Sequence, residues 1–316
     1  MTFANSTATP SSTPAQMQRG LWLGALGVAI FALTLPLTRL AVGTPEAPQL
    51  SSVFVAVGRA AVAGLLSALF LLWTRAALPQ RQDWVPLMLV AVGVVFGFPL
   101  LTSIALRHVE AIHASVMIGI LPLATAAMGA WLHGQRPSAG FWLCAVAGAA
   151  LVVAFALVHS GTGHFSLSLP DGLLLLATAC GALGYGYGAK LSHHMRADQV
   201  ICWALVLSLP LNLPLALLEW PYSAIKTEAW WSFAYVSVFS MWIGFFAWYR
   251  GLALGGTVRV SQVQLAQPFM SMLFAVPLLG ESLDAVTIGF GVAVIATVFI
   301  GKKMPVQQTH PARRLT

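Results

Sequence analysis

The sequence predicts an all-α, polytopic membrane protein built as ten transmembrane helices in two inverted five-helix repeats, and three observations lead there. Of 316 residues, 58% are hydrophobic and only 8% charged, with a mean hydropathy of +0.82, whereas soluble domains carry about 25% charged residues. The apolar residues gather into ten stretches, each long enough to span a bilayer. These stretches run on without period-two alternation, so in hydrocarbon they satisfy their own backbone as helices and not as barrel strands. A water-soluble globule is excluded, and the connections are too short to fold into an extramembrane domain.

Taken in order, the stretches lie near residues 20–42, 49–73, 84–106, 110–132, 138–158, 171–193, 199–219, 229–252, 258–279 and 283–301, here segments 1 to 10. Trp22, Trp73, Trp84, Trp131, Trp142, Trp220, Trp230 and Trp231 fall at segment ends, where an aromatic belt belongs. Residues 1–19 start rich in Ser, Thr, Pro and Ala, lack the basic n-region of a secretory signal, and are expected to be a disordered cytoplasmic tail. Residues 20–158 form the first five-helix unit, 171–301 the second, and 302–316 a second cytoplasmic tail.

The net charge of +7 does not mark a nucleic-acid footprint, because the basic residues stand mostly singly at helix ends and form no basic face. They read instead as topology signals. With a cytoplasmic N-terminus and ten crossings, Arg19, Arg75, Arg81, Arg136, Lys190, Arg196, Arg250, Arg259, Lys302, Lys303, Arg313 and Arg314 fall at the cytoplasmic side. Arg39, Arg107 and Lys226 fall outside, and Arg59 lies within a helix. Both termini are therefore expected in the cytoplasm, in a multi-pass protein of the cell inner membrane. Cys144, Cys180 and Cys202 all sit in apolar stretches with no ligand spacing, so neither a disulfide framework nor a metal site is indicated.

The polar connection from His159 to Pro170 is the natural midpoint. Shifting the chain by 146 residues superposes Leu106 on Leu252, Ser115 on Ser261, Pro122 on Pro268, Leu132 on Leu278 and Gly134 on Gly280, with Gln135 meeting Glu281. Five crossings per repeat is odd, so the halves must be inverted, an architecture of secondary transporters with a midplane site at the repeat interface.

The run ALRHVEAIHASVMIGILPLATAAMGAWLHGQ, its partner GLALGGTVRVSQVQLAQPFMSMLFAVPLLGE and Arg59 in VAVGRAAVAG carry a resemblance. The chain resembles the drug/metabolite transporter superfamily in its ten-helix EamA-type branch, over about residues 20–301, and is most similar to bacterial exporters of aromatic and other neutral amino acids. The resemblance implies export through a central cavity lined mainly by segments 1, 3, 4, 6, 8 and 9 that opens alternately to either side. It implies a small-molecule substrate and a lipid bilayer as partners, no cofactor and no nucleic acid; a monomer is expected. Gln135, where the second repeat keeps Glu281, departs from any scheme that needs both carboxylates.

The candidate residues follow from polarity inside apolar segments. All nine acidic residues sit at loops or segment ends, so no midplane carboxylate offers itself for proton coupling, and a facilitator is favoured over cation/proton antiport. Arg59 is an intramembrane charge. It could bind a substrate carboxylate, but segment 2 is peripheral in the resembling fold, and a structural role on neighbouring carbonyls is expected. His113, one turn into segment 4, either contacts substrate or hydrogen-bonds a neighbouring helix. In segment 9, Ser261, Gln264, Gln267, Pro268 and Ser271 share one face, with Gln262 beside them, and substrate contact is expected there. Trp242 and Tyr249 of segment 8 share a face that suits either a ligand ring or packing. Thr34 and Thr38 of segment 1, Ser103 of segment 3 and Tyr185 of segment 6 complete the substrate-binding set. Ala177, Gly181, Gly184 and Gly188 form a small-residue ridge for close helix packing. Pro36, Pro99, Pro122, Pro268 and Pro277 interrupt segments 1, 3, 4 and 9, and bending at the first four is expected to alternate access.

An enzyme would need a nucleophile with a base, paired acids or a metal motif within the bundle. No GxSxG or HExxH is present, no catalytic residue is assigned, and no metal is expected. A receptor has no need of the inverted repeat. The runner-up within transporters is a multidrug or other-metabolite exporter.

Overall fold

The computed structural model describes residues 14–132, 136–159, 168–192, 194–255, 263–304 and 306–307. Helix occupies every apolar stretch. Segment 1 is Pro14–Ala32 and Thr34–Val42; segment 2 is Ser52–Trp73; segment 3 is Trp84–Val90, a π-helical Ala91–Gly97 and Phe98–Leu106; segment 4 is Ala111–Ile118 and Leu121–Leu132; segment 5 is Ala139–His159. Segment 6 is Leu169–Leu191; segment 7 is Ala197–Leu218; segment 8 is Thr227–Tyr235, a π-helical Val236–Ile243 and Gly244–Gly255; segment 9 is the 3₁₀ turn Val263–Ala266 and Gln267–Leu279; segment 10 is Ala285–Lys303. Among the described residues, 7 helical spans, in segments 1–4 and 6–8, are long and apolar enough to cross a membrane, and segments 5, 9 and 10 hold shorter apolar helices. Residues 1–13, 160–167 and 308–316, the pair Gly134 and Gln135, and Ser261 and Gln262 lie outside the described residues. Helix starts at Pro14, inside the stretch assigned to the first tail, and Val306–Gln307 of the second tail pairs antiparallel with Arg136–Pro137.

The irregularities of segments 1, 3, 4 and 9 share a local cause, whereas the π stretch of segment 8 has no proline near it. Proline has no N–H and frees the carbonyl four residues back. Segment 1 breaks between Ala32 and Thr34, one turn before Pro36. The π stretch of segment 3 ends at Gly97, just before Pro99; segment 4 breaks after Ile118, one turn before Pro122; the 3₁₀ turn of segment 9 ends at Ala266, just before Pro268. Pro277 behaves differently from its grouping above, because it lies inside the uninterrupted helix Gln267–Leu279.

Small residues set the closest helix approaches. Segment 1 lies along segment 8, with Gly27 against the Trp248 backbone and Gly251 against Gly20 and Gly24. Segment 6 lies along segment 3, where Gly184 meets Val94 and Gly93 meets the Cys180 carbonyl. Gly64 of segment 2 packs on Leu209 and Leu205 of segment 7, Gly301 of segment 10 on Cys144 of segment 5, and segment 9 on the first half of segment 4. The ridge on segment 6 is spent in this way: Gly181 meets Leu121 and Phe98, and Gly188 lies under the Tyr249 hydroxyl.

The close approaches of Gly188 to Tyr249, Gly186 to Met128 and Gly251 to Gly20 gather the start of segment 1 and the ends of segments 4, 6 and 8 at one end of the bundle. The pairing of Arg136 with Gln307 brings the end of segment 10 there too. Asp83 and His194, 2.8 Å apart, tie the start of segment 3 to the connection between segments 6 and 7 at that end. The opposite end is fastened by side chains on backbone groups that helix termini leave open. Arg39 donates to the Leu106 carbonyl, and Arg107 to those of Val42 and Leu50 at 3.1 and 2.6 Å. Glu281 accepts from the Ala111 and Ile112 amides, both at 2.8 Å, and so caps segment 4 from the end of segment 9. Burial raises the Glu281 carboxyl above its ordinary value, against the pull of those two amides.

Candidate functional site

The proline breaks of segments 1, 3, 4 and 9 meet around two small adjoining chambers in the middle of the bundle. The larger, of about 40 Å³, is lined by Phe31, Thr34, Leu35, Arg59, Val94, Phe98, Pro99, Ile118, Tyr185, Ser240, Met241, Phe245 and Gln267. The smaller, of about 20 Å³, is lined by Leu35, Ser115, Ile118, Leu121, Pro122, Gln264, Gln267, Pro268 and Ser271. They share Leu35, Ile118 and Gln267, which form the wall between them. Each has room for about one to three waters, so an organic solute enters only if the surrounding helices part. At the end away from the chain termini lies a third cavity of about 420 Å³, lined by charged groups that include Arg39, Glu110, Lys226, Glu228 and Glu281.

Each helix delivers its groups for a local reason. The turn at Leu33 aims Thr34 across the bundle at Ser240, hydroxyl to hydroxyl at 2.8 Å, although 206 residues separate them. Ser240 itself sits in the π stretch of segment 8, where the extra residue per turn rotates the following face. Phe245, just beyond that stretch, meets Phe31 edge-on with ring centroids 5.2 Å apart and lies 6.2 Å from Tyr185. The 3₁₀ turn before Pro268 winds tighter than α-helix, and Gln264, Gln267 and Ser271 all reach the chambers from it and the helix it opens.

Of the residues singled out in the sequence, Thr34, Tyr185, Gln264, Gln267 and Ser271 are brought together here, with Pro99, Pro122 and Pro268 in the walls. Pro36 is buried one residue beyond Leu35. Others stand elsewhere. Thr38 and Ser103 are buried away from both chambers; the Ser103 carbonyl accepts from Ser52 at 3.0 Å. His113 pairs with Asp171 at 2.7 Å and lies against the Phe155 ring at 4.9 Å. Trp242 is wedged against Phe70 and Phe246, and Tyr249 packs fully buried on Phe245. Ser115 appeared in the sequence only as the repeat partner of Ser261, and Ser240, Phe31 and Phe98 were not singled out; the signal of those three is spatial, since nothing in their local sequence sets them apart from neighbours that face lipid.

Arg59 is the departure with the most weight. A structural role on neighbouring carbonyls was expected, yet the side chain is 2% exposed, lines the larger chamber, and has no hydrogen bond or ion pair among the described residues. Nor does any Asp or Glu line either central chamber. The described carboxylates nearest the membrane interior are engaged at the ends: Asp171 with His113 and Ser168, Asp83 with His194, Glu281 on the segment 4 amides.

Comparison with known proteins places this sequence among transporters. The sequence profile of the EamA-like transporter family matches the chain twice, over residues 18–157 and 169–301. An uncharacterized transporter of Bacillus subtilis (strain 168), YdeK, is 47% identical over 285 residues, covering 89% of this chain and 96% of the relative. A crystal structure described only as that of a protein superposes with a TM-score of 0.60 at 18% identity, covering 90% of this chain and 96% of the other, a likeness of fold alone.

Proposed function

The chain belongs to the EamA-like transporter family, and from that premise we propose that it is a secondary transporter exporting aromatic and other neutral amino acids, or related metabolites, across the bacterial inner membrane. It works by alternating access through the central chambers between two inverted five-helix repeats, with ten crossings and both termini in the cytoplasm. It acts as a monomer and without a buried carboxylate for proton coupling.

The observation that carries this reading is the composition of the enclosed centre: hydroxyls, two glutamine amides, one guanidinium and a set of aromatic rings, with no acid. Such a lining suits a solute with an apolar or flat side chain and a polar head. The runner-up is a multidrug or other-metabolite exporter, and for lipophilic cations it is disfavoured by the guanidinium of Arg59 in the wall.

Several features support the repeat. The family profile falls once on each half. The π stretches end at Gly97 and Ile243, related by the same shift of 146 that aligns the sequence. Exchanging the halves also turns the pairing of segments 1 and 8 into that of 6 and 3, and returns 2 with 7, 4 with 9 and 5 with 10 to themselves.

Counterflow in proteoliposomes loaded with a panel of amino acids, with and without a proton gradient, tests the function. Exchange of aromatic and neutral amino acids that ignores the gradient is expected. Uptake that follows the gradient overturns the uncoupled mechanism, and exchange of organic cations but no amino acid overturns the substrate class. Gating at the prolines has its own expected result. In Pro268→Ala the new N–H can bond to the Gln264 carbonyl, adding a net ~0.5–1.5 kcal/mol that bending must break. Turnover should fall by up to about tenfold with substrate affinity unchanged; a parental rate and sidedness would rule the break out as a gate.

A further inference from the structure

We propose that Arg59 and Gln267 together read the two ends of an α-amino acid, Arg59 taking the carboxylate and Gln267 the ammonium. The assignment rests on the amino-acid reading above and names the residues that enforce it.

The argument begins with an imbalance. A guanidinium is permanently charged and carries five N–H donors in a planar fork. Inside a membrane such a group is normally matched by an acid or by carbonyls. Arg39 and Arg107 obey that rule, Arg39 bonded to the Leu106 carbonyl and Arg107 to those of Val42 and Leu50. Arg59 does not: it is enclosed, its Nε has no acceptor, and it accepts no compensation from any described carboxylate or carbonyl. Gln267, in the wall of the same chamber, holds the opposite deficit, a buried Oε1 with no donor. The amide offers one carbonyl whichever way it is turned.

One chamber thus contains an unmatched bidentate donor and an unmatched neutral acceptor, set among Phe31, Phe98, Tyr185 and Phe245. A carboxylate complements the first in the geometry for which guanidinium is best suited. An ammonium complements the second and is further stabilised over ring faces. A substrate bearing both, with a flat or branched apolar side chain, satisfies every open group in the chamber. A carboxylate alone leaves Gln267 unpaired, and an amine alone leaves Arg59 unpaired and adds like charge beside it. Bland structural use of Arg59 makes the opposite forecast for stability. A charge that braces the fold is costly to remove, whereas one kept uncompensated for a ligand is destabilising in the empty protein.

The test uses the full chain in nanodiscs, with binding followed by calorimetry and stability by thermal unfolding. The probes are phenylalanine, phenylalaninamide, phenethylamine and phenylpyruvate, each in chloride and in gluconate. The parent should prefer phenylalanine over the amide, the amine and phenylpyruvate by at least about 100-fold, because a site built for hydrogen bonds rejects the analogue that lacks them. Arg59→Met should erase the preference over the amide while the empty protein unfolds at the same or a higher temperature. Gln267→Leu should erase the preference over phenylpyruvate alone. Should Arg59→Met not fold, Arg59→Lys, which keeps the charge and loses the fork, should retain the order of ligands with weaker binding. The proposal is overturned if the parent binds the amide as well as phenylalanine, if chloride alone accounts for the occupancy, or if Arg59→Met is less stable with the ligand order unchanged. Binding with this pattern but without counterflow would defeat the transport reading and leave the assignment of the two residues standing.

Discussion

Gly93→Ala is expected to force segments 3 and 6 apart and to destabilise the protein by about 1–3 kcal/mol or more. A methyl group at Gly93 would come within 2.5 Å of the Cys180 carbonyl oxygen, 2.7 Å of the Gly184 amide nitrogen and 2.8 Å of the Gly184 Cα. All three are backbone atoms, so no side-chain rotation relieves the clash. In a bilayer no hydrophobic drive pulls helices together, and contact of this kind supplies the attraction instead. The same crossing positions Val94 and Tyr185 in the chamber wall, so a shift here reaches the site. Gly289 on segment 10 is the control: nothing stands within 4 Å of its added methyl, and Gly289→Ala should be neutral or slightly stabilising from helix propensity. Thermal unfolding of both variants in nanodiscs checks the pair, and equal midpoints would refute the steric argument.

Asp171→Ala should come close behind. The carboxylate does two things at the end away from the chain termini. It closes a capping box with Ser168, accepting the Ser168 amide at 3.1 Å and its hydroxyl at 2.5 Å, while the Ser168 Oγ accepts the Asp171 amide. It also holds His113 at 2.7 Å, joining the first turns of segments 4 and 6. A hydrogen bond to a charged group contributes about 1.5–3 kcal/mol and the cap about 1 kcal/mol, so the combined loss should exceed either. Asp198→Ala, which removes an ion pair with the exposed Arg196, should cost less than about 1 kcal/mol. The difference between the two variants in thermal midpoint is the measurement. If they match, the buried pair contributes no more than a surface one.

His113 shows how far the sequence could be read. A histidine one turn into an apolar segment was equally open to a ligand or a neighbouring helix, and the deciding partner, Asp171, lies 58 residues away in another segment. Arg39 and Arg107 likewise appeared only as charges on one side of a topology count, whereas folding makes them clamps on carbonyls of other helices. Arg59 was visible as an oddity from composition alone. Its access to a chamber shared with Thr34 and Gln267 was not, because that depends on how segments 1, 2 and 9 pack.

The sequence by itself determined the solvent the protein lives in, the approximate extent of its helices and four of their breaks, though not the π stretch of segment 8. Those properties are local: hydropathy over a span's length decides insertion, and a proline frees a carbonyl wherever it stands. The tertiary structure alone decided which polar side chains of those helices share an enclosed space and which are consumed at helix ends. Hydrogen bonds and cavities form between atoms brought close in space, and periodicity along one helix says which face a residue occupies but not what that face meets.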